Sequence, residues 1–131
     1  GVNTNGAFSD CYNLVEVVSL GNALTTIGAF AFMDCYDLTT VKATAVNSVG
    51  KYSFSGCSKL VTFGDTVNEL NFDAMVKVGA GAFMDNRFDR VILKNVENIG
   101  EYSFFTSSNT MQYLARGNKQ GIVVENEYTT K

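Results

Sequence analysis

One short pattern recurs along the chain at intervals of 21 to 29 residues. Four segments open with a β-branched residue and a glycine, and in each a phenylalanine follows four residues after the glycine. These phenylalanines are Phe32, Phe54, Phe83 and Phe104, and Phe8 marks a fifth segment that lacks the opening pair. A period in this range is typical of a solenoid, in which each unit covers the next. The sequence therefore predicts a repeat protein of about five units.

The hydrophobic period changes inside each unit. Ile27, Ala31 and Cys35 are spaced by four, as on one face of a helical turn, whereas Val41 and Ala43 are spaced by two, as on one face of a strand. Each unit is therefore predicted to contain a short helical segment, a turn and a short strand. In the second and fourth units the predicted strands lie near residues 40–44 and 90–94. We expect successive strands to lie parallel, about 4.8 Å apart, in one continuous sheet, and the phenylalanines to stack as an internal ladder.

The units share the consensus Gly-x-x-small-Phe-x-x-Cys-x-x-Leu-x-x-Val. Its glycine begins a bend, where a residue without a Cβ tolerates unusual backbone angles or tight packing. The predicted units lie near residues 4–27, 28–49, 50–78, 79–99 and 100–116, and residues 117–131 form a C-terminal cap and tail. About seven extra residues around Asp65–Met75 lengthen the third step, and we expect them to form a loop or an extra turn. In the tail, Ile122, Val123 and Val124 are predicted to form a short strand that covers the last unit.

The segments at residues 27–38 (IGAFAFMDCYDL) and 49–60 (VGKYSFSGCSKL) resemble the BspA-like leucine-rich repeat family, and the resemblance extends over about residues 6–115. It implies an α/β repeat solenoid, a right-handed leucine-rich-repeat coil with a parallel β-sheet on the concave face and short helical or turn segments on the other side. It also implies a cell-surface or secreted protein that adheres to host or matrix proteins or to other cells, without enzymatic activity. No binding residue carries over, because the motif residues of this family are structural.

The composition narrows the function classes. The chain has no histidine, so a Ser-His or Cys-His pair cannot form and the commonest metal ligand is missing. We find no nucleophile–base pair, metal cluster or cofactor loop, and we therefore expect no catalytic residues, no metal and no cofactor. A net charge of −3 argues against nucleic acid. No apolar run approaches the ~20 residues of a membrane span, so no membrane insertion is expected.

Two further sets of residues share repeat positions. Cys11, Cys35 and Cys57 are separated by 24 and 22 residues, which fits no zinc-binding spacing. Buried free thiols are favoured over one disulfide between neighbouring units and over a metal site.

Asp10, Asp34 and Asp85 also share a position, and we interpret them as hydrogen-bond acceptors in turns rather than as calcium ligands. A set of aromatic residues could alternatively form an exposed platform that binds sugar or peptide. We expect most of them to pack on neighbouring units instead; they are Tyr12, Tyr36, Phe30, Tyr52 and Tyr102.

The outward face of the parallel sheet is the predicted binding surface, since alternate strand residues point away from the core. The candidate contacts are Thr40, Lys42, Thr62, Arg90, Ile92 and Lys94, from columns that also hold Glu16, Val18, Leu20, Thr44, Gly64 and Thr66. The inserted segment, with Leu70 or Phe72, is the rival contact site. The predicted partner is a protein or another cell-surface macromolecule, and the alternative is a spacer array with no partner of its own. An exposed N-terminal edge predicts weak self-association by strand pairing, and we hypothesise that the chain ends a longer array.

Overall fold

The chain folds into two sheets of short strands in the computed structural model, which describes residues 6–19, 23–65, 70–71, 74–86, 90–93, 95–104 and 122–125. The strands are β1 (Glu16–Val18), β2 (Thr26–Ile27), β3 (Thr40–Lys42), β4 (Ser48–Val49), β5 (Thr62–Phe63), β6 (Leu70–Asn71), β7 (Lys77–Val78), β8 (Arg90–Leu93), β9 (Asn98–Ile99) and β10 (Ile122–Glu125). The order is β1-β3-β5-β6-β8-β10 in the six-stranded sheet and β2-β4-β7-β9 in the four-stranded sheet. The chain thus passes repeatedly between the same sheets, which confirms the predicted solenoid. We call each passage a rung and number the rungs by their phenylalanines, from Phe8 in rung one to Phe104 in rung five.

The four-stranded sheet was not predicted from the sequence. Its strands end on the β-branched residue that precedes the opening glycine, as in the parallel pairing of Ile27 with Val49 and of Val49 with Val78. Rungs two, three and four therefore have strands on two sides instead of one. The apolar residue of each of these four strands is turned toward the core, since Ile27, Val49 and Val78 are buried and Ile99 packs partly buried against them.

The helical segment predicted in each unit is a series of tight turns, and no helix occurs in the described ranges. Hydrogen bonds in this segment run from an N–H to the carbonyl three residues earlier, as from Ala31 to Gly28 and from Met33 to Phe30. Phe30 and Asp34 have φ values of 62° and 60°, in the left-handed region, which a right-handed helix excludes. A left-handed residue at every fourth position gives the same spacing of inward side chains as a helical turn. We call residues 6–11, 28–35, 50–57, 79–86 and 100–104 together the turn ribbon.

Backbone hydrogen bonds join successive rungs along the turn ribbon. The N–H groups of Phe8 and Asp10 donate to the carbonyls of Ala31 and Met33, at 2.8 and 2.9 Å. The same alternation continues, with the Phe32 N–H donating to the carbonyl of Ser53 at 2.7 Å. Every donor in this series points toward the following rung and every acceptor toward the preceding one. The ribbon is therefore a third hydrogen-bonded side of the solenoid, with a fixed polarity.

The predicted phenylalanine ladder is confirmed. Ring centroids of consecutive members are 5.2 to 5.5 Å apart, with planes within 9° of parallel. The ladder consists of Phe8, Phe32, Phe54, Phe83 and Phe104. Phe63 stands edge-on to two of them, 5.8 Å from Phe54 and 6.2 Å from Phe83. A further buried column, which the sequence analysis missed, lies eight residues before the ladder at Val46, Met75 and Val96, with Leu24 partly buried at its N-terminal end.

The insertion, predicted as a loop or an extra turn, supplies an additional strand. Leu70 of β6 pairs in parallel with Phe63 of β5 on one side and with Val91 of β8 on the other. In the other sheet no strand intervenes, because Ser48 of β4 pairs directly with Lys77 of β7. The insertion therefore adds one parallel strand to the six-stranded sheet and none to the four-stranded sheet.

Strand β10 lies at the end of the six-stranded sheet. It pairs with β8 antiparallel, with Ile122 opposite Leu93 and Glu125 opposite Arg90. The short strand predicted at Ile122–Val124 is therefore present and extends by one residue. The predicted unit boundaries and the assignment of residues 117–131 to a cap and tail stay predictions.

Candidate functional site

The outward face of the six-stranded sheet is the surface on which the sequence placed a binding site. Glu16, Thr40 and Thr62 stand in one register column, as predicted, and Val18 pairs with Lys42 in the next. Lys42 and Val18 are exposed and Thr40 is half-buried. Adjacent parallel strands thus bring exposed side chains from separate rungs to about 5 Å spacing.

Two parts of the predicted site are corrected. Thr62 is only 3% exposed, so its side chain is not accessible to a partner. Arg90 is not in the strand next to Thr62, because β6 lies between β5 and β8. Ile92 lies opposite Asn71 of the inserted strand.

Several predicted positions are placed by backbone register alone or lie outside the described residues. The structure gives the pairing of Leu70, Arg90 and Ile92 within their strands. Leu20, Thr66, Phe72 and Lys94 lie outside the described ranges.

An inter-rung ion pair lies on the described part of the sheet face. Lys42 Nζ lies 3.4 Å from Glu16 Oε2, and both side chains are about half exposed. A second exposed pair, Lys59 with Asp37 at 2.9 Å, joins rungs three and two in the turns that precede β5 and β3. Exposed pairs of this kind contribute roughly 0–1 kcal/mol, so both lysines are available to a partner at little cost in stability.

Exposed valines border this face, and the sequence analysis missed two of them. Val18 is 54% exposed within β1, and Val15 and Val61 are exposed immediately before β1 and β5. Val15 and Val61 share a repeat position with Thr39, whose N–H donates to the Val15 carbonyl at 2.9 Å. A β-branched residue recurring one place before β1, β3 and β5 is the sequence signal that marks this column.

Aromatic residues in and next to the turn ribbon stack on one another along the solenoid axis. The rings of Tyr12 and Tyr36 are 5.1 Å apart and 5° from parallel, and those of Phe30 and Tyr52 are 5.6 Å apart. Lys51 Nζ lies 5.7 Å from the centre of the Phe30 ring. Each of these rings uses a face to pack on the ring of a neighbouring rung, which favours the packing interpretation over a sugar or peptide platform.

The aspartate column occupies backbone positions in the left-handed region. Asp10, Asp34, Gly56 and Asp85 have φ values of 63°, 60°, 81° and 60°, which suit aspartate and glycine better than most residues. Partial burial raises the pKa of Asp34, and the charges of Asp10 and Asp85 raise it further. Among the residues that the structure describes, no group of three or more Cys, Asp or Glu is placed to hold a metal ion. The turn interpretation accounts for the column.

Replacing Asp34 with asparagine is expected to stabilise the protein at neutral pH. Asparagine also accepts the left-handed conformation and removes the repulsion from neighbouring carboxylates. Because the folded pKa is raised above the ordinary 3.8, the folded state holds this proton more tightly than the unfolded state. The contribution of Asp34 to stability therefore falls as the pH rises from below 3.8 through the raised folded pKa, and the gain from Asp34→Asn appears over the same interval.

Thermal melts at pH 3 and pH 7 test this, with a gain of roughly a few tenths of a kcal/mol expected at pH 7 and almost none at pH 3. Asp37→Asn is the matched control, because it removes a carboxylate paired with Lys59 and no gain should follow. Equal effects of Asp34→Asn at both pH values would contradict the repulsion argument.

The cysteines form a column of free thiols that donate hydrogen bonds to the preceding rung. Cys35 Sγ lies 3.0 Å from the Phe8 carbonyl oxygen, and Cys57 Sγ lies 3.1 Å from that of Phe32. Both are buried, as predicted, whereas Cys11 is half-buried. Burial raises the pKa of Cys57 to about 12, which suppresses thiolate chemistry at neutral pH. The thiols thus act as small hydrogen-bond donors in the core.

Asn86 takes the place of cysteine in rung four and keeps the same role. Its Nδ2 donates to the Phe54 carbonyl at 2.9 Å and to the Cys57 carbonyl at 3.2 Å. The position therefore selects a small side chain with a donor, and cysteine and asparagine both satisfy it.

Ser53 differs from Asn86, because its buried hydroxyl has no hydrogen-bond partner among the described residues. Its side chain is fully buried, and no acceptor or donor within the described structure reaches its Oγ. The equivalent residues on the neighbouring rungs, Ala31 and Ala82, are buried in the same way. Ser53→Ala is therefore expected to raise the free energy of unfolding by about 1 kcal/mol, because a desolvated, unsatisfied hydroxyl is removed without loss of packing.

Urea denaturation measures this effect, and Ser55→Ala, two residues away and half-buried, should change stability by less than about 0.5 kcal/mol. A lower midpoint for Ser53→Ala would mean that the hydroxyl is satisfied in solution.

Comparison with known families identifies the repeat. The pattern described as BspA type Leucine rich repeat region matches residues 4–110 in six copies, one more than the five units expected from the phenylalanines. No curated protein and no solved structure matches the chain. Within the described residues, no helix is long and apolar enough to cross a membrane.

Proposed function

Because the chain belongs to the BspA-type leucine-rich repeat family, we propose that it is a non-enzymatic, protein-binding module of a cell-surface or secreted protein. Its role is adhesion to matrix proteins or to other cells through one rigid repeat surface. The family is typically surface-associated, which supports this location. The observation that carries the proposal is the exposed face of the six-stranded sheet, where valines lie beside a charged pair on a fixed backbone.

Rigidity is the first physical reason. Rungs are joined by backbone hydrogen bonds in two sheets and in the turn ribbon, and by the phenylalanine ladder inside. A preformed surface loses little conformational entropy when it binds, so more of the contact energy appears as affinity.

Surface chemistry is the second reason. Val18, Lys42 and Glu16 present an apolar group and both charges within adjacent strands β1 and β3. Non-obligate protein interfaces have this mixed character, with apolar contacts near charged groups that fix register. Thr40 is partly accessible at the same place, and Arg90, Ile92 and Lys94 stay predicted contacts of this face.

A binding assay on immobilised, purified extracellular-matrix proteins tests the proposal. The chain should bind at least one of them, and a Val18→Ser, Lys42→Ala double variant should weaken that binding at least tenfold with an unchanged melting temperature. Lys59→Ala is the matched control, because Lys59 is also exposed and also in an inter-rung ion pair, but lies in a turn and not in a strand of the sheet. Binding to none of the panel would favour a spacer array, and equal binding by all variants would move the site to another surface.

A further inference from the structure

Two tyrosines on adjacent rungs form an exposed stack on the outside of the solenoid. The ring centroids of Tyr12 and Tyr36 are 5.1 Å apart, the ring planes are 5° from parallel, and the two residues are 50% and 47% exposed. Tyr36 lies in rung two, which has a rung on either side, so its exposure follows from its outward position. Ser58 holds the same repeat position in rung three, so the stack does not continue there.

Parallel stacking brings equivalent carbons of the two rings close together. Because Tyr12 and Tyr36 hold the same repeat position and their rings are almost parallel, each carbon ortho to a hydroxyl lies about 5 Å from its counterpart. Exposed side chains change rotamer in picoseconds to nanoseconds, so rotation about side-chain bonds can bring two of these carbons into contact. The face of Tyr12 that takes part is turned to Tyr36, so the arrangement does not depend on what precedes rung one.

A proton acceptor stands beside one of the two hydroxyls. The negative charge of Asp10 is the largest cause that raises the pKa of Tyr12, and a hydrogen bond from the Tyr12 hydroxyl to that carboxylate contributes to the same shift. At neutral pH Tyr12 is therefore a neutral phenol whose proton is directed at a carboxylate. A phenol that loses an electron becomes strongly acidic, so this proton can pass to Asp10 as Tyr12 is oxidised.

We propose that Tyr12 and Tyr36 are an oxidative cross-linking site, at which a peroxidase with hydrogen peroxide joins the two rings as dityrosine. Each tyrosine gives up one electron and its hydroxyl proton and becomes a phenoxyl radical. The radicals combine through one ortho carbon of each ring, and each of these carbons then releases its hydrogen as a proton while the ring oxygen regains one. Overall the pair loses two electrons and two protons, which reduce one hydrogen peroxide to two waters.

Tyr52 has a similar environment without a second phenol. It is half-buried and stacks on Phe30 at 5.6 Å, and the Phe30 ring has no hydroxyl and forms no phenoxyl radical. A stacked tyrosine of this kind is therefore not expected to cross-link, and Tyr52→Phe is the matched control for the reaction.

Peroxidase treatment of the dilute chain, followed by isolation of the monomer, tests the proposal. Cleavage after Glu16 and Lys42 places Tyr12 and Tyr36 on separate peptides. Mass spectrometry should find residues 1–16 joined to residues 17–42 with the loss of two hydrogen atoms. Tyr36→Phe keeps the stacked ring and removes the phenol, so the dityrosine fluorescence of the monomer should fall at least tenfold, whereas Tyr52→Phe should leave it unchanged.

Moving one tyrosine by a rung tests the geometry. The double variant Tyr36→Ser, Ser58→Tyr keeps the number of tyrosines but sets the two phenols two rungs apart, and it should form at least tenfold less dityrosine. Thermal melts before oxidation show that each variant is folded. Equal dityrosine fluorescence in the double variant and the original chain would overturn the proposal, and so would cross-links that form only between chains.

Discussion

Gly50→Ala is expected to destabilise the protein by about 3 kcal/mol or more, at the upper end of overpacking effects. A Cβ on Gly50 would overlap the backbone nitrogen of Ala29 and lie 2.8 Å from Ala29 Cα and from the carbonyl carbon of Gly28. These are backbone atoms of the preceding rung, and they cannot move without opening the hydrogen bonds between rungs. Gly79 and Gly100 meet the preceding rung in the same way.

Gly6→Ala separates close packing from backbone conformation. Gly6 has a φ of 65°, and nothing lies within 4 Å of a Cβ built on it. Its replacement should cost only the left-handed conformation, about 1–2 kcal/mol. Urea denaturation of both variants gives the comparison, and a Gly50→Ala loss no larger than that of Gly6→Ala would show that the rungs separate more easily than their contacts indicate.

Phe54→Ala is expected to lower the free energy of unfolding by about 3–5 kcal/mol. The ring is fully buried and stacks on Phe32 at 5.2 Å and on Phe83 at 5.3 Å, with Phe63 edge-on. Removing it leaves a cavity in the middle of the ladder that rigid, hydrogen-bonded rungs cannot close.

Phe8→Ala is the matched control for Phe54→Ala, since Phe8 belongs to the same column but stacks on one side only and is half exposed. Its loss should be less than half as large, because part of the ring is already in water. Thermal and urea melts of the two variants measure the difference. A Phe54→Ala loss below about 1 kcal/mol would mean that the ladder contributes little to stability.

The repeat architecture and its register were predictable because they depend on spacing. A phenylalanine at the same place in each unit can be buried only if the units stack in register, and the observed ladder follows. The column of Glu16, Thr40 and Thr62 was predicted on the same basis. Free cysteines followed from their unsuitable metal spacing and their tendency to be buried.

The binding face was less predictable, because exposure depends on neighbours that the sequence does not identify. Thr40 and Thr62 are the same residue type in the same column, yet only Thr62 is buried. β5 also has the inserted strand β6 beside it, a neighbour that was not predicted from the sequence.

By itself the sequence determined that equivalent residues stack, since side chains repeated at one position can share a core only in aligned rungs. Tertiary structure decided the conformation of each rung. Spacing by four suits a helix and a series of turns alike, and the turns prevail because their alternate N–H groups are free to bond to the next rung. The tertiary structure also shows why glycine is required at the opening position. There the backbones of two neighbouring rungs approach so closely that a Cβ would overlap the preceding rung, and this contact exists only once the rungs are stacked.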